Sequence, residues 1–176
     1  MDVHPEVFTA DYTGRPGERT FFFQSRSETL TLTYQLEKGQ VEVLGEKLKE
    51  LLVMIDPEDA VMTETPGRNP AFALSAPIEP EWRVGTIGLT YEPETESVVV
   101  ALEPIPATPE DLSDADETPD VDEFAVRILL RTDQARAFVL HASAIVAEGR
   151  PLCQLCGLPM DPDGHKCPAS NGHRLG

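Results

Sequence analysis

The stretch "TLTLTYQLEKGQVEVLGEKLKELLVMID", residues 29–56, changes its hydrophobic period half-way along. Leu30, Leu32, Tyr34 and Leu36 alternate with polar residues, the period of a half-buried antiparallel strand. From Val41 the period lengthens: Val41, Leu44, Leu48, Leu51, Leu52 and Ile55 fall on one helical face, and Glu46, Lys47, Lys49 and Glu50 on the others. Asp56-Pro57 ends the helix, because a residue before proline is pushed out of the α region. A strand feeding an amphipathic helix implies an α+β chain.

Working outward, "RTFFFQSR" (19–26) reads as a strand hairpinned to the first, and the turn-rich stretch before Glu18 as a lead-in without a strand of its own. "TGRPGER" is not a phosphate loop, since no Lys-Ser/Thr follows its glycines. Residues 57–80 carry five prolines and read as an irregular connection on the surface. "EWRVGTIGLTY" (81–91), "VVVALEPI" (98–105) and "FAVRILLR" (124–131) are three further strands, followed by a helix within "DQARAFVLHASAIVAEG" (133–149). The expected fold is an antiparallel sheet of about five strands with two amphipathic helices on one face. Residues 1–150 would form this domain. Within it, 104–123 hold eight acidic residues, four prolines and no Lys or Arg, the composition of a mobile loop.

With 31 acidic against 14 basic side chains the net charge is −17, which repels phosphate backbones and argues against nucleic acid and anionic membrane. No apolar run approaches spanning length, and the N-terminus lacks a basic region followed by an apolar one. A cytoplasmic protein is expected. Three clustered cysteines suit a reducing compartment and a metal better than a disulfide framework.

All three cysteines and two of the four histidines lie in "CQLCGLPMDPDGHKCPASNGH", residues 153–173. Cys153-x-x-Cys156-Gly157 has the form of a zinc knuckle, in which glycine lets the chain turn beneath the ion. Asp161-Pro162-Asp163-Gly164 is a reversal signal that returns His165 and Cys167 toward the first pair. Cys153, Cys156 and Cys167 are expected as metal ligands, with His165 as the fourth and His173 as the alternative fourth ligand. A redox Cys-x-x-Cys normally opens a helix, whereas this one follows a helix end and leaves its third cysteine idle. Residues 151–176 therefore read as a zinc-binding tail holding one structural zinc. A Cys₃His set fills every coordination position and leaves none for substrate.

The segments "GRPGERTFFFQ", "EKGQVEVLGEKLKELL", "WRVGTIGLTYE" and the run from Gln134 to Arg174 resemble, in order and spacing, the domain-of-unknown-function family numbered 3090, found mainly in actinobacteria. Its tail pattern matches Cys153, Cys156, Gly157, Asp161, Pro162, Gly164, His165, Cys167, Pro168, Asn171 and Gly172. The resemblance brings no established reaction. It implies a genomic neighbourhood with a histidine-phosphatase-like and a lipid-kinase-like protein, either of which is a candidate partner.

Elsewhere, His141 reads as a residue on the second helix at the border between its apolar stripe and its polar face, and His4 as part of a loose terminus. Arg15, Arg19, Arg26, Arg83, Arg127 and Arg131 lie on or beside the strands and read as cross-strand ion pairs. No catalytic residues and no organic cofactor site stand out. Two functions follow. The first is a non-enzymatic adaptor that meets a protein partner and carries a structural zinc. The second is a hydrolase or transferase acting on a phosphorylated small molecule, which would need a convergent arginine pocket on the sheet face.

Overall fold

A computed structural model of the chain describes residues 1–15, 17–58, 64–107, 120–148, 153–158, 160 and 165–169. The chain divides into two compact units, Met1–Val146 and Ala147–Gly176. Most of the 104–123 acidic stretch, and the Asp161–Gly164 reversal, fall outside the described residues.

The first unit is α+β. Its strands are β1 (Asp2–Val3), β2 (Val7–Thr13), β3 (Thr20–Arg26), β4 (Thr31–Leu36), β5 (Trp82–Glu92), β6 (Ser97–Pro104) and β7 (Val126–Leu130). Helix α1 (Lys38–Ile55) follows β4, and α2 (Thr132–Ala147) follows β7. The expected five-stranded antiparallel sheet is corrected to a seven-stranded mixed one, ordered β1-β7-β6-β5-β4-β3-β2. The five strands expected from periodicity are present, and the two additional ones come from the N-terminus. β1 pairs with β7 and β4 with β5 in parallel, while the other four pairings are antiparallel. The parallel β4–β5 step arises because α1 and the connection after it carry the chain back to the end where β4 began.

β1 and β2 occupy opposite edges of this sheet yet are joined only by residues 4–6. A flat seven-stranded sheet would hold its outer strands about 29 Å apart, whereas four residue steps reach about 14 Å. The sheet is therefore strongly curled, and the N-terminal strand, broken at Pro5, passes from one edge to the other. His4, expected in a loose terminus, sits in that bend.

The concave face holds one apolar core. Phe8, Phe21, Phe23, Tyr34, Leu36, Val98, Val100, Leu102, Ile128 and Leu130 meet Val41, Leu44, Leu48 and Leu52 of α1 and Phe138, Val139, Ala142 and Ile145 of α2. Phe138 stacks on Phe8 with ring centroids 4.9 Å apart and meets the edge of Phe23 at 5.9 Å. At the start of α1, Gln40 accepts the Glu37 backbone N–H at 2.9 Å and also donates to the Val84 and Gly85 carbonyls, both at 3.2 Å. One side chain thus caps the helix and ties it to β5.

The opposite face is not simply solvated. Thr9, Asp11, Gln24 and Thr33 point to it and are buried, because part of the proline-rich connection lies across them. Thr9 Oγ1 donates to the Phe72 carbonyl at 2.6 Å, and Gln24 exchanges hydrogen bonds with the Ser75 backbone at 2.8 and 2.9 Å. Arg26 donates to the Ala71 and Ala73 carbonyls and to Ser75 Oγ. Asp11 receives both oxygens' worth of bonding from Arg68, at 2.9 and 3.0 Å.

Candidate metal centre

The second unit is built around its cysteines. Gly157, at φ +71°, adopts the left-handed backbone that glycine takes without steric cost. That turn lets Gly157 N–H donate to the Cys153 carbonyl and Cys153 N–H to the Leu158 carbonyl, both at 2.8 Å. The resulting loop folds Cys156 back beside Cys153 and aims the Leu155 N–H at Cys153 Sγ, 3.4 Å away. These backbone bonds were not legible as such, although Gly157 directly after the second cysteine signals the turn.

His165 and Cys167 complete a four-residue cluster. The ligand atoms of Cys153, Cys156, His165 and Cys167 all lie within 4.8 Å of one another. Cys153 Sγ and Cys167 Sγ are 3.8 Å apart, and Cys156 Sγ and His165 Nε2 are 3.2 Å apart. All three thiols are free, with Cys153 buried and Cys156 and Cys167 half-buried. Three thiols and an imidazole converging on one point can hold a metal ion. His173 falls outside the described residues.

The electrostatics within the cluster are uneven. Backbone N–H groups at Cys156 and Leu155 hold the Cys153 thiol below its usual range. The Leu158 amide acts in the same direction on Cys156, but burial and the neighbouring Cys167 and Cys153 sulfurs outweigh it and push that thiol up. Crowded sulfurs resist ionising together, and a bound cation removes that conflict.

Residues 3–167 match the family model described as "Protein of unknown function (DUF3090)". The chain belongs to this family. The DUF3090 match takes in Cys153, Cys156, His165 and Cys167 and ends short of His173. No curated protein and no solved structure matches the chain. Among the described residues no helix is long and apolar enough to cross a membrane.

The other residues singled out from the sequence fall at separate places in the first unit. Arg26 holds the proline-rich connection. Arg83 pairs with Glu37. Arg127 meets Asp2, Glu92 and Asp122. Arg131 pairs with Asp133, and their mutual hydrogen bond raises the guanidinium and lowers the carboxyl. Arg19 lies over the Tyr12 ring at 4.1 Å. A cavity of about 460 Å³ at the start of α2 has Arg131 and Arg136 in its wall, but Asp56, Glu96 and Asp133 stand beside them. His141, expected at the border between the apolar and polar faces of α2, is buried at 1 % exposure, where Nδ1 accepts the Asn69 N–H at 3.0 Å and the ring meets Phe72. Trp82 packs on Tyr34 with centroids 4.6 Å apart, at the margin of the core.

Proposed function

We propose that this DUF3090 protein is a non-enzymatic interaction protein whose C-terminal unit is folded by one structural zinc, held by Cys153, Cys156, His165 and Cys167. The spacing of the donor atoms carries this reading. Zinc–sulfur bonds of about 2.3 Å place tetrahedral sulfur pairs about 3.8 Å apart, and Cys153 and Cys167 lie at 3.8 Å. The Cys156–His165 pair, at 3.2 Å, is a little tighter than the corresponding sulfur–nitrogen edge of about 3.6 Å. With four protein ligands no position is open to water or substrate, and three thiolates leave the ion a weak Lewis acid. The metal then shapes the chain, and binding and folding of this short unit are one event.

The arginines support the interaction reading over a phosphate-handling enzyme. Arg26, Arg83, Arg127 and Arg131 each have partners within the chain, and the cavity that includes Arg131 is balanced by three carboxylates. A cytoplasmic setting would keep the thiols reduced. The phosphatase-like or kinase-like neighbour implied by the family resemblance is the partner to try first. The net charge of −17 speaks against nucleic acid and anionic membrane. Metal analysis of the full chain, purified without added metal, tests the centre: about one zinc per chain is expected. A metal-free chain, or a Cys153–Cys156 disulfide under reducing conditions, overturns it. For the function, co-purification with each encoded neighbour is compared between the full chain and Cys156→Ser. An unchanged set of bound proteins removes the metal unit from the contact.

A further inference from the structure

Beyond its first two residues β5 has a strand neighbour on one side only among the described residues. It pairs with β6 from Val84 to Glu92, but on its other side only Trp82 and Arg83 pair, with Tyr34 and Gln35 of β4. β4 ends at Leu36 and the chain leaves into α1, so beyond Arg83 the fifth strand outruns its neighbour. The Gln40 amide takes up the Val84 and Gly85 carbonyls, standing in for a strand over those two residues. Among the described residues no strand pairs with Thr86–Glu92 on that side. Alternate backbone N–H and C=O groups there have no ladder partner.

Beside this edge opens a groove of about 620 Å³ between β5 and α1. Val43, Leu44, Ile87 and Leu89 line it, with Gln40 and Lys47 at its margin. Val43 is 55 % exposed, although its neighbours Val41 and Leu44 on the same helix are buried. The edge sequence "TIGLTYE", 86–92, carries no proline, no lysine and no inward charge, and the bulge between Val84 and Thr86 lies at its start. An open edge flanked by an apolar groove is the arrangement that strand addition uses, with the backbone giving affinity and every second side chain giving specificity.

We propose that the β5 edge from Thr86 to Glu92 takes an extended, non-acidic peptide segment of a partner protein as an added strand, with its alternate apolar side chains in the groove against Val43 and Leu89. The occupant must be extended, because the groups left open are backbone groups that a helix satisfies internally. It must alternate, because only its core-side residues meet the groove. It must not be acidic, because the chain carries −17 and the exposed Glu94 and Glu96 stand in the turn where β5 ends, while Glu37 and Glu92 are already paired with Arg83 and Arg127. The same charge disfavours a second copy of this chain. The site belongs to the first unit and does not depend on the metal centre.

The test uses the full-length chain as bait for a displayed library of random unstructured peptides. Selected peptides should carry apolar residues at alternate positions between Lys or Arg, and should slow backbone amide exchange within 86–92. N-methylation of every second peptide amide should abolish binding. Val43→Glu should weaken binding by about tenfold or more without lowering the unfolding midpoint, and Cys156→Ser should bind like the wild type. The proposal is overturned if no peptide is selected, or if Val43→Glu binds as well as wild type. Protection outside 86–92, or loss of binding in Cys156→Ser, overturns it too. A dimer in sedimentation whose contact protects 86–92 would make a second copy the occupant and equally defeat the proposal.

Discussion

The side-chain amide of Gln134, on α2, donates to the main-chain carbonyl of Pro5 at 2.8 Å. The same nitrogen reaches the Glu6 carbonyl at 3.0 Å, and Oε1 accepts the Arg131 N–H at 3.0 Å. Gln134 thereby fixes the bend through which the N-terminal strand crosses from one sheet edge to the other. The helix that fills the concave face also ties down the segment that closes it.

Replacing Gln134 with leucine keeps the volume and leaves those backbone groups without their partner. The expected cost is about 1–3 kcal/mol, the usual penalty for stranding buried polar groups. Urea unfolding followed by far-UV circular dichroism reads it. Gln134→Glu should be worse still, since it sets an acceptor against two carbonyls. Equal midpoints for wild type and Gln134→Leu would show that the bend is held by other contacts.

Much of this unit is legible in the sequence because its signals are local. Leu32, Tyr34 and Leu36 do face the core, Val41, Leu44, Leu48 and Leu52 form the buried stripe of α1, and Asp56 caps its end. The two N-terminal strands escape for different reasons. β1 is two residues long and exists only through pairing with Arg127 and Ile128, more than a hundred residues away. β2 does alternate, with Phe8, Ala10 and Tyr12 inward and Thr9 and Asp11 under the proline-rich connection, but this short signal runs straight into the Gly- and Pro-bearing turn at 14–17, which dominates the reading of the N-terminus. The direction of the β4–β5 pairing rests on a two-residue contact that periodicity does not encode. The metal cluster is legible for the opposite reason, since Cys-x-x-Cys-Gly and His-x-Cys bring their own geometry.

Asp11 and Arg68 hold the proline-rich connection on the outer sheet face. The Asp11 side chain is 4 % exposed and Arg68's 41 %, so solvent screens the pair from one side only. Asp11 also accepts the Tyr12 N–H at 2.9 Å, which Arg68→Met would leave intact. Arg68→Met should destabilise by about 1–2 kcal/mol. In the double variant with Asp11→Asn most of that loss should disappear, a coupling that a double-mutant cycle measures. Additive losses would mean the two side chains contribute independently.

Tyr34 supplies a pH dependence. Burial, and secondarily the Glu81 carboxylate, push its phenol from 10.0 up to about 12. The folded state holds this proton more tightly than the unfolded chain does. The resulting stabilisation is complete below pH 10 and is lost as pH rises through 12. Ultraviolet titration should show one of the three tyrosines ionising later than the others, and Tyr34→Phe should flatten the alkaline fall in stability. A Tyr34→Phe profile that falls as steeply as wild type would place the responsible group elsewhere.

The metal centre yields the sharpest discrimination among single side chains. In the proposed site Cys153, Cys156 and Cys167 each offer a sulfur, and His165 offers Nε2 at 3.2 Å from Cys156 Sγ. Replacing any cysteine with serine removes a soft ligand, and His165→Ala opens one coordination position to water. Metal affinity should fall by about tenfold or more in each case, measured by competition with a chromophoric chelator. His173→Ala should bind zinc like wild type. Cobalt substitution separates loss of a ligand from loss of the fold, because a tetrahedral Cys₃His site gives intense visible bands that weaken as coordination expands. Gly157→Ala keeps every donor but forces an L side chain to φ +71°. It should therefore weaken binding while leaving the cobalt spectrum of the loaded form unchanged. If His173→Ala releases the metal and His165→Ala does not, the fourth ligand is His173, and the pairing of His165 with Cys156 is a neighbouring contact.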